Sequence, residues 1–234
     1  SGGNKISTSN LVDGSGVIGS DVSGVGTTGP FGSAAGYSTN LGIVLFRETA
    51  SGKVGVSNLI NSSGVIGTDV SAVATAKAQA GGTEYGGDKA IFAFGRDASD
   101  VSNTRNLVSN SGVVASDASG AGTAREEIAA CTYGSGQSTA IFVSGDTDSG
   151  IVGVSNLVNS SGVVASDTTA VATAKYSAAA LEYGGDKGIL AYGNISGERA
   201  SASNLISNSG VVGTDVSGVG TARQELAGCG TGQS

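Results

Sequence analysis

The sequence predicts an all-β protein: a single five-bladed β-propeller of four-stranded antiparallel blades, with one blade closed by both termini. Three observations lead to this prediction. A unit of about 48 residues occurs five times. Its segments are rich in β-branched residues and are bounded by turn-forming residues. The C-terminal segment of the chain also matches the start of a unit.

The repeat is clearest in the stretch SNLVNSSGVVASD at residues 155–167, which recurs with small changes in every unit. Its asparagines are separated by 48, 48, 50 and 48 residues, and they are Asn10, Asn58, Asn106, Asn156 and Asn204. We place the copies near residues 1–28, 29–76, 77–124, 125–174 and 175–222, followed by a closing strand at 223–234. All copies belong to one domain spanning residues 1–234.

One unit, residues 124–173, contains four segments that we predict to be strands, at 124–133, 139–145, 151–158 and 162–167. Gly, Asn, Asp or Ser lies between them, and these residues tolerate turn dihedrals. The first segment is also compatible with a short helix. The turns GGDK, DTDSG and NSSG favour antiparallel hairpins, and a β-solenoid with two coils per unit is the alternative architecture.

Several segments carry a resemblance to a known repeat. They are Arg125 with AIFVSG at 140–145, DKAIFAFG at 88–95 and DKGILAYG at 186–193. The order of a cation, a small-residue strand, an apolar-aromatic strand ending in Gly and two Val-rich strands resembles a degenerate kelch-type propeller repeat. The pattern lacks the Gly-Gly doublet after the second strand and the Trp of that repeat. The repeat sequence is also similar to uncharacterised tandem repeats of environmental sequences and phage structural proteins. This resemblance implies an extracellular or virion-surface location.

The ends of the sequence fit a ring with one blade divided between them. The chain opens inside a unit, and its end, ARQELAGCGTGQS, matches a first strand. Closing a propeller with strands from both ends removes exposed sheet edges. The closing blade is eight residues short, because Ser138 lies 17 residues before Ser155 whereas Ser234 lies only nine before Ser9 around the ring. We therefore expect either a compressed strand at residues 1–8 or membership of a longer array.

Composition argues against most enzyme classes and several kinds of partner. The chain has no histidine, which is the usual general base, zinc ligand and pH switch. Its net charge of −7 argues against nucleic acid, which requires a basic surface. No apolar run is long enough to span a membrane, and no GxSxG, HExxH or P-loop motif occurs. We predict a protein without catalytic activity, cofactor or metal.

Two repeated sets of side chains are the candidate binding residues. The first set consists of cations at the head of the first strands: Lys77, Arg125, Lys175 and Arg223, with Gly29 in the remaining copy. A ring would bring these charges near one axis, where they could bind an anion, or each could pair with an Asp or a carbonyl of the next blade. The second set is a rim of tyrosines before turns: Tyr37, Tyr85, Tyr133 and Tyr183. These rings could stack on sugars or pack between blades.

Smaller groups of polar residues favour structural roles. Asp146 and Asp148 resemble part of a calcium loop, but a complete loop needs more oxygen ligands, so we predict a hairpin turn. Glu127 and Glu225 are equivalent copies, and no asymmetric carboxylate pair of the kind that glycoside hydrolases need stands out. Cys131 and Cys229 are also equivalent. We expect two small buried residues there, with a disulfide as the alternative.

These observations favour a non-catalytic structural or surface-binding repeat module. The alternative is a carbohydrate-binding, lectin-like propeller, and a propeller of the glycoside hydrolase type is less favoured. The expected partner is a glycan or a component of a particle or cell surface, rather than nucleic acid or a membrane. The sequence leaves the ligand and the oligomeric state open.

Overall fold

A computed structural model of the protein describes residues 6–71, 74–169 and 172–230. Within these residues the structure is all-β, as predicted, and its one helical element is a 3-10 turn at Ser135–Gln137. No helix among the described residues is long and apolar enough to cross a membrane. The predicted strands at residues 1–8 and 223–234 lie partly outside the described residues.

The strands recur in the same order in each unit. They are β1 (Ser33–Tyr37), β2 (Leu41–Thr49), β3 (Gly52–Ile60), β4 (Val70–Ser71), β5 (Gly81–Tyr85), β6 (Lys89–Ala93), β7 (Arg105–Val108), β8 (Ala129–Tyr133), β9 (Thr139–Val143), β10 (Asp146–Thr147), β11 (Gly150–Ile151), β12 (Val154–Val158), β13 (Thr168–Thr169), β14 (Ala179–Tyr183), β15 (Lys187–Ala191), β16 (Asn194–Ile195), β17 (Glu198–Arg199) and β18 (Ser203–Ile206).

These strands form four principal sheets, each a meander of three or four neighbouring strands. Sheet 1 has the order β1-β2-β3-β4, sheet 2 β5-β6-β7, sheet 3 β8-β9-β12-β13 and sheet 4 β14-β15-β18. Two small hairpins, β10-β11 and β16-β17, extend from sheets 3 and 4. Every pairing among the described strands is antiparallel, in agreement with the hairpin turns predicted from the sequence.

The three predicted inner strands are present but shorter than predicted, and the predicted outer strand is wrong. In the unit at 124–173 the first strand begins only at Ala129, and the residues before it are not helical. The fourth predicted strand, 162–167, makes only an isolated bridge between Val164 and Val158. Two main-chain hydrogen bonds, from Ala165 to Leu157 and from Asn159 to Val163, also hold this segment, and Asn156 Nδ2 donates to the carbonyl of Ala165 at 3.0 Å. The outermost strand is the two-residue β13.

The sheets pack face to face in sequence order. β1 contacts β5, β5 contacts β8 and β8 contacts β14. Aromatic rings join the sheets farther out, where Phe46 meets Phe92 edge to face at 6.2 Å and Phe94 meets Phe142 at 5.3 Å between centroids. The core is therefore a series of layers between neighbouring sheets, with small residues along the first strands and larger ones behind them.

Both ends of the described chain carry parts of a further unit. The N-terminal hairpin, residues 9–22, is held by bridges between Ser9 and Val22 and between Val12 and Ile18. It lies against sheet 1, where Leu11 fills the space beside Gly64. The C-terminal segment, residues 223–230, lies against sheet 4 but outside any assigned strand. Two partial units thus flank the four sheets.

A ladder of main-chain hydrogen bonds joins the four copies within 29–222 and the C-terminal segment, just before the first strands. Each residue of the ladder donates its N–H to the carbonyl of the preceding copy, in the pairs Gln79 to Phe31, Glu127 to Gln79, Ser177 to Glu127 and Glu225 to Ser177, at 3.0–3.2 Å. These five residues all have positive φ, between 50° and 59°. Because non-glycine residues adopt this conformation uncommonly, its fivefold recurrence shows that the copies are built alike.

Candidate functional site

A cavity of about 650 Å³ is the candidate site, and it is lined by residues of the four copies within 29–222 and of the C-terminal segment at 228–230. One position per copy, directly before the repeated tyrosine or its counterpart, contributes Gly36, Glu84, Thr132, Glu182 and Gly230. A second position, two residues earlier, contributes Ala34, Gly82, Ala130, Ala180 and Gly228. The small residues expected on the first strands therefore face this shared space.

Two carboxylates give the cavity its charge. Burial raises the pKa of Glu84, and the charge of Glu182 raises it further. Glu182 is only 7% exposed, and its Oε2 accepts a hydrogen bond of 2.6 Å from Gln137 Nε2. Gly36 leaves room for the Glu84 carboxylate, because a Cβ at that position would overlap Glu84 Oε1. No lysine or arginine is found among the described lining residues, so this cavity is acidic.

The structure does not bring the four predicted cations to this cavity. Lys77, Arg125 and Lys175 expose no surface, so they cannot contact a ligand from solvent. Each donates a hydrogen bond to a repeated asparagine oxygen of its own sheet, in the pairs Lys77 to Asn106 (3.2 Å), Arg125 to Asn156 (2.7 Å) and Lys175 to Asn204 (2.9 Å). In place of the predicted central ring of charge, the cations form separate internal networks.

The network continues from the asparagine to an aspartate and a threonine. In sheet 3, Asn156 Nδ2 donates to Asp167 Oδ1 at 2.9 Å, and Thr123 donates its Oγ1 hydrogen to Asp167 Oδ2 at 2.7 Å. Burial acts to raise the pKa of Asp167, but these two donors and the nearby Arg125 guanidinium hold it below its ordinary value. We call this arrangement the cation–Asn–Asp–Thr network. It ties the segment before the first strand to the outer edge of the same sheet.

Sheet 1 builds the same network with its cation in a different place. Gly29 stands where the other units have a lysine or arginine, and Arg47 stands where they have Gly95, Gly145 and Gly193. Arg47 Nη2 donates to Asn58 Oδ1 and Nη1 donates to the carbonyl of Thr27, both at 2.5 Å. In sheet 1 the cation of the network is therefore Arg47 on β2, whereas in the other sheets it lies in the segment before the first strand.

The buried lysine predicts an unusual dependence of stability on pH. Burial lowers the pKa of Lys77 to about 8, against the opposing charges of Asp117 and Asp97, whereas an unfolded lysine titrates near about 10.4. Above pH 8 the unfolded chain binds more protons than the folded one, so stability increases with pH. Burial raises the pKa of Cys131 to about 12, which acts in the opposite direction from about pH 8.5 upward and does so whatever residue stands at position 77.

We therefore expect the free energy of unfolding to rise between pH 8 and pH 9 by ~1 kcal/mol more in the parent protein than in a variant whose residue 77 keeps its charge, as measured by urea denaturation. The control is Lys77→Arg, which keeps its charge in this interval and matches the residue at position 125. If the variant showed the same rise as the parent protein, Lys77 would not be its source.

The predicted aromatic rim is largely interior. Tyr37, Tyr85 and Tyr133 are 3–6% exposed and lie under turn glycines of the next sheet, which are Gly112, Gly162 and Gly210 respectively. A Cβ at any of these glycines would come within 2.8–2.9 Å of the tyrosine ring or hydroxyl. Three of the four tyrosines therefore pack between sheets, the alternative considered for them, while Tyr183 is half-buried.

The remaining predicted residues lie on the surface. Arg223 is exposed, and its guanidinium carbon lies 4.0 Å from the centroid of the Tyr192 ring. Asp146 belongs to the β10-β11 hairpin, as predicted, and Asp148 at its tip pairs with Arg96. The part of the chain that the structure describes contains no cluster of three or more residues suited to a metal ion.

The two cysteines are free thiols with different environments. Cys131 is buried, whereas Cys229 is exposed and lines the cavity. The alternative of a disulfide is therefore not realised. The expectation that both are buried holds only for Cys131, because Gly188 of the next sheet covers its sulfur. Cys229 follows sheet 4, the last of the four sheets, and no further described sheet covers it.

A thiol titration should distinguish the two residues. In the native protein at pH 8 we expect one thiol per chain to react with a small disulfide reagent, and the second to react only after unfolding, since the thiolate is the reactive form and burial raises the pKa of Cys131 to about 12. Cys229→Ser should abolish the native reaction. Two reactive thiols in the native protein, or none, would contradict the structure.

Sequence reasoning missed Glu84, Glu182, Gln137 and Arg47. A signal for the first two exists, because Glu precedes the repeated Tyr in two of the units, as EYGGDK. No family model matches the chain, and no curated protein matches it either. The arrangement of its own residues is consequently the basis for a functional proposal.

Proposed function

We propose that this chain is a non-catalytic structural module, a five-bladed β-propeller whose fifth blade combines the N-terminal hairpin with the C-terminal segment. The observation that carries the proposal is the cation–Asn–Asp–Thr network. The cation and the asparagine of this network are buried in each of the four sheets, and the aspartate and the threonine are hydrogen-bonded to one another and to the asparagine. Repeated polar groups that are hydrogen-bonded to one another stabilise a sheet, and few of their donors and acceptors remain available to bind a substrate.

Two features support the ring. The cavity is lined both by sheet 1 and by the C-terminal segment, which belong to opposite ends of the described chain. The two partial units are also complementary. The hairpin carries Asn10 and Asp21, and the C-terminal part of the chain carries Thr221 and Arg223. Together these residues supply the four members of one network. Asn10 Nδ2 already donates to Asp21 Oδ1 at 2.8 Å.

The repeat itself supports a structural role. Five equal modules in a ring give a rigid body with few free sheet edges, which suits a component of a particle or cell surface. The resemblance to degenerate kelch-type and phage-associated repeats belongs to the same proposal.

A second candidate, carbohydrate binding, is favoured by the contents of the cavity. Glu84, Glu182 and Gln137 offer carboxylate and amide groups, which are hydrogen-bonding partners for hydroxyl groups, in a space large enough for a small ligand. Glu84 and Glu182 occupy equivalent positions, so the arrangement offers two similar carboxylates and no built-in distinction between an acid and a nucleophile.

A glycan array with a parallel assay of glycan hydrolysis tests the proposal. A structural module predicts neither binding nor hydrolysis. Binding that the double variant Glu84→Gln/Glu182→Gln abolishes would establish the lectin-like alternative, whereas hydrolysis would contradict both candidates. The variant Asp148→Asn, which alters a carboxylate outside the cavity, is the control.

A further inference from the structure

The negative charge of the cavity is not neutralised by its described lining residues. Glu84 and Glu182 both line the cavity, and the described lining includes no lysine or arginine. Burial raises the pKa of Glu84, and the charge of Glu182 raises it further, so the two carboxylates lie close enough to repel one another. A positively charged ligand near both carboxylates would offset this repulsion.

Two side chains of the cavity have hydrogen-bonding capacity that the described residues leave unused. The Glu84 carboxylate is half-buried and accepts no hydrogen bond from any of them. Thr132 is only 7% exposed, and within the described chain its hydroxyl has no hydrogen-bond partner. Because nearly all buried polar groups in proteins are hydrogen-bonded, these two acceptors indicate a ligand that carries hydrogen-bond donors.

The repeat directs these polar groups into one space. Glu84, Thr132 and Glu182 are the fourth residues of β5, β8 and β14, and equal positions in equivalent strands direct their side chains to the same side. Gly36, the fourth residue of β1, leaves the room that the Glu84 carboxylate occupies. Since β8 packs between β5 and β14, the sheet that carries the hydroxyl lies between the two sheets that carry the carboxylates.

The remaining walls of the cavity suit an elongated organic cation better than a metal ion. Ala34, Ala130 and Ala180 line the cavity two residues before the polar position, and their methyl groups favour contact with methylene groups. The volume of about 650 Å³ is that of a small-molecule site. Two carboxylates also supply far fewer oxygen ligands than the roughly six to eight that calcium takes.

We propose that the cavity binds a small aliphatic diamine, whose two ammonium groups pair with Glu84 and Glu182 and whose methylene chain lies on Ala130 and Ala180. An ammonium group is a donor of several hydrogen bonds, so one of the two can also donate to the Thr132 hydroxyl. This binding would be an activity in addition to the structural role. It does not depend on closure of the ring, because sheets 2, 3 and 4 carry all of these residues.

The test is isothermal titration calorimetry of the whole protein at neutral pH with diaminopropane, diaminobutane and diaminopentane. We expect saturable binding that depends on the length of the diamine and weakens as salt is added. Butanediol, which has the same length as diaminobutane but no charge, should not bind. Butylamine, which has one ammonium group, should bind at least about tenfold more weakly than diaminobutane.

Four variants locate the site. Glu84→Gln and Glu182→Gln should each weaken diamine binding at least about tenfold, because each removes a charge-assisted hydrogen bond. Thr132→Val should weaken it about fivefold, and it should leave thermal unfolding unchanged because the hydroxyl has no partner among the described residues. Asp148→Asn, which changes an exposed carboxylate outside the cavity, should leave binding unchanged.

Several results would overturn the inference. These are the absence of saturable diamine binding, equal binding of butanediol, binding of calcium chloride but of no diamine, and equal effects of Asp148→Asn and Glu84→Gln. Thr132→Val keeps the test decisive if a glutamate variant fails to fold. Failure of diamine binding would leave the structural role intact, whereas an open ring would leave diamine binding intact, so the two proposals can fail separately.

Discussion

Replacing Asn156 with leucine should lower the free energy of unfolding by ~2–4 kcal/mol, because it removes one acceptor from a buried guanidinium and leaves buried polar groups without their partner. Arg125 would lose the oxygen that lies 2.7 Å from its Nη2. Asp167 and the carbonyl of Ala165 would lose their shared donor, which adds the penalty of unsatisfied polar groups. Leucine has a similar volume, so the change tests the polar network rather than the packing.

The protein contains its own control for this prediction. Asn10 occupies the equivalent position in the N-terminal hairpin, but it is exposed and accepts no hydrogen bond from a cation in the described residues. Asn10→Leu should therefore cost less than ~1 kcal/mol, as is usual for surface substitutions. Urea denaturation of both variants provides the comparison. Equal losses would mean that the asparagines act only through the turn that follows them.

The second prediction concerns the displaced cation of sheet 1. Arg47→Gly should destabilise the protein by ~2–4 kcal/mol, since Asn58 Oδ1 and the carbonyl of Thr27 lose their buried donor. Gly29→Lys alone should also destabilise it, because a Cβ there would overlap the carbonyl of Glu48 and lie 3.3 Å from Arg47 Cγ. The pair of changes recreates the Lys77/Gly95 arrangement of sheet 2.

The double variant should consequently be more stable than the sum of the single changes predicts, with a coupling of at least ~2 kcal/mol in a double-mutant cycle. Additive losses would show that the two positions do not share one cation site. Gly29→Ala, which adds a Cβ without a charge, separates the steric part of the effect from the electrostatic part.

The sequence predicted the repeat units, the inner strands and the antiparallel pairing because these depend on local patterns. β-Branched runs such as AIFV between turn residues form strands in any sheet. The fourth strand could not be predicted in this way, since the asparagine side chain of the third strand takes the hydrogen bond of the Ala165 carbonyl. A tertiary contact replaces the ladder that the pattern indicates.

The candidate site was harder to predict for a similar reason. The direction of a side chain alternates regularly only inside a strand, and Arg125 lies before β8, two residues ahead of Glu127 with its positive φ of 52°. The sequence therefore showed that the repeated cations occupy equivalent positions, but it did not show in which direction their side chains point. That Arg47 takes over the role of the cation missing at Gly29 is visible only in the structure, where Arg47 contacts Asn58 as Arg125 contacts Asn156.

The central proposal, that the repeat units form a closed ring of five blades, can be tested by pulsed electron paramagnetic resonance. Spin labels are placed at equivalent exposed turn residues in a Cys131→Ala/Cys229→Ser background, with one pair at Ser15 and Ser209 and a reference pair at Ser63 and Ser111. In a ring, the first and fifth copies are neighbours, so the two pairs should give similar distances. A separation of roughly four neighbour spacings, as in a linear stack of repeats, would contradict it.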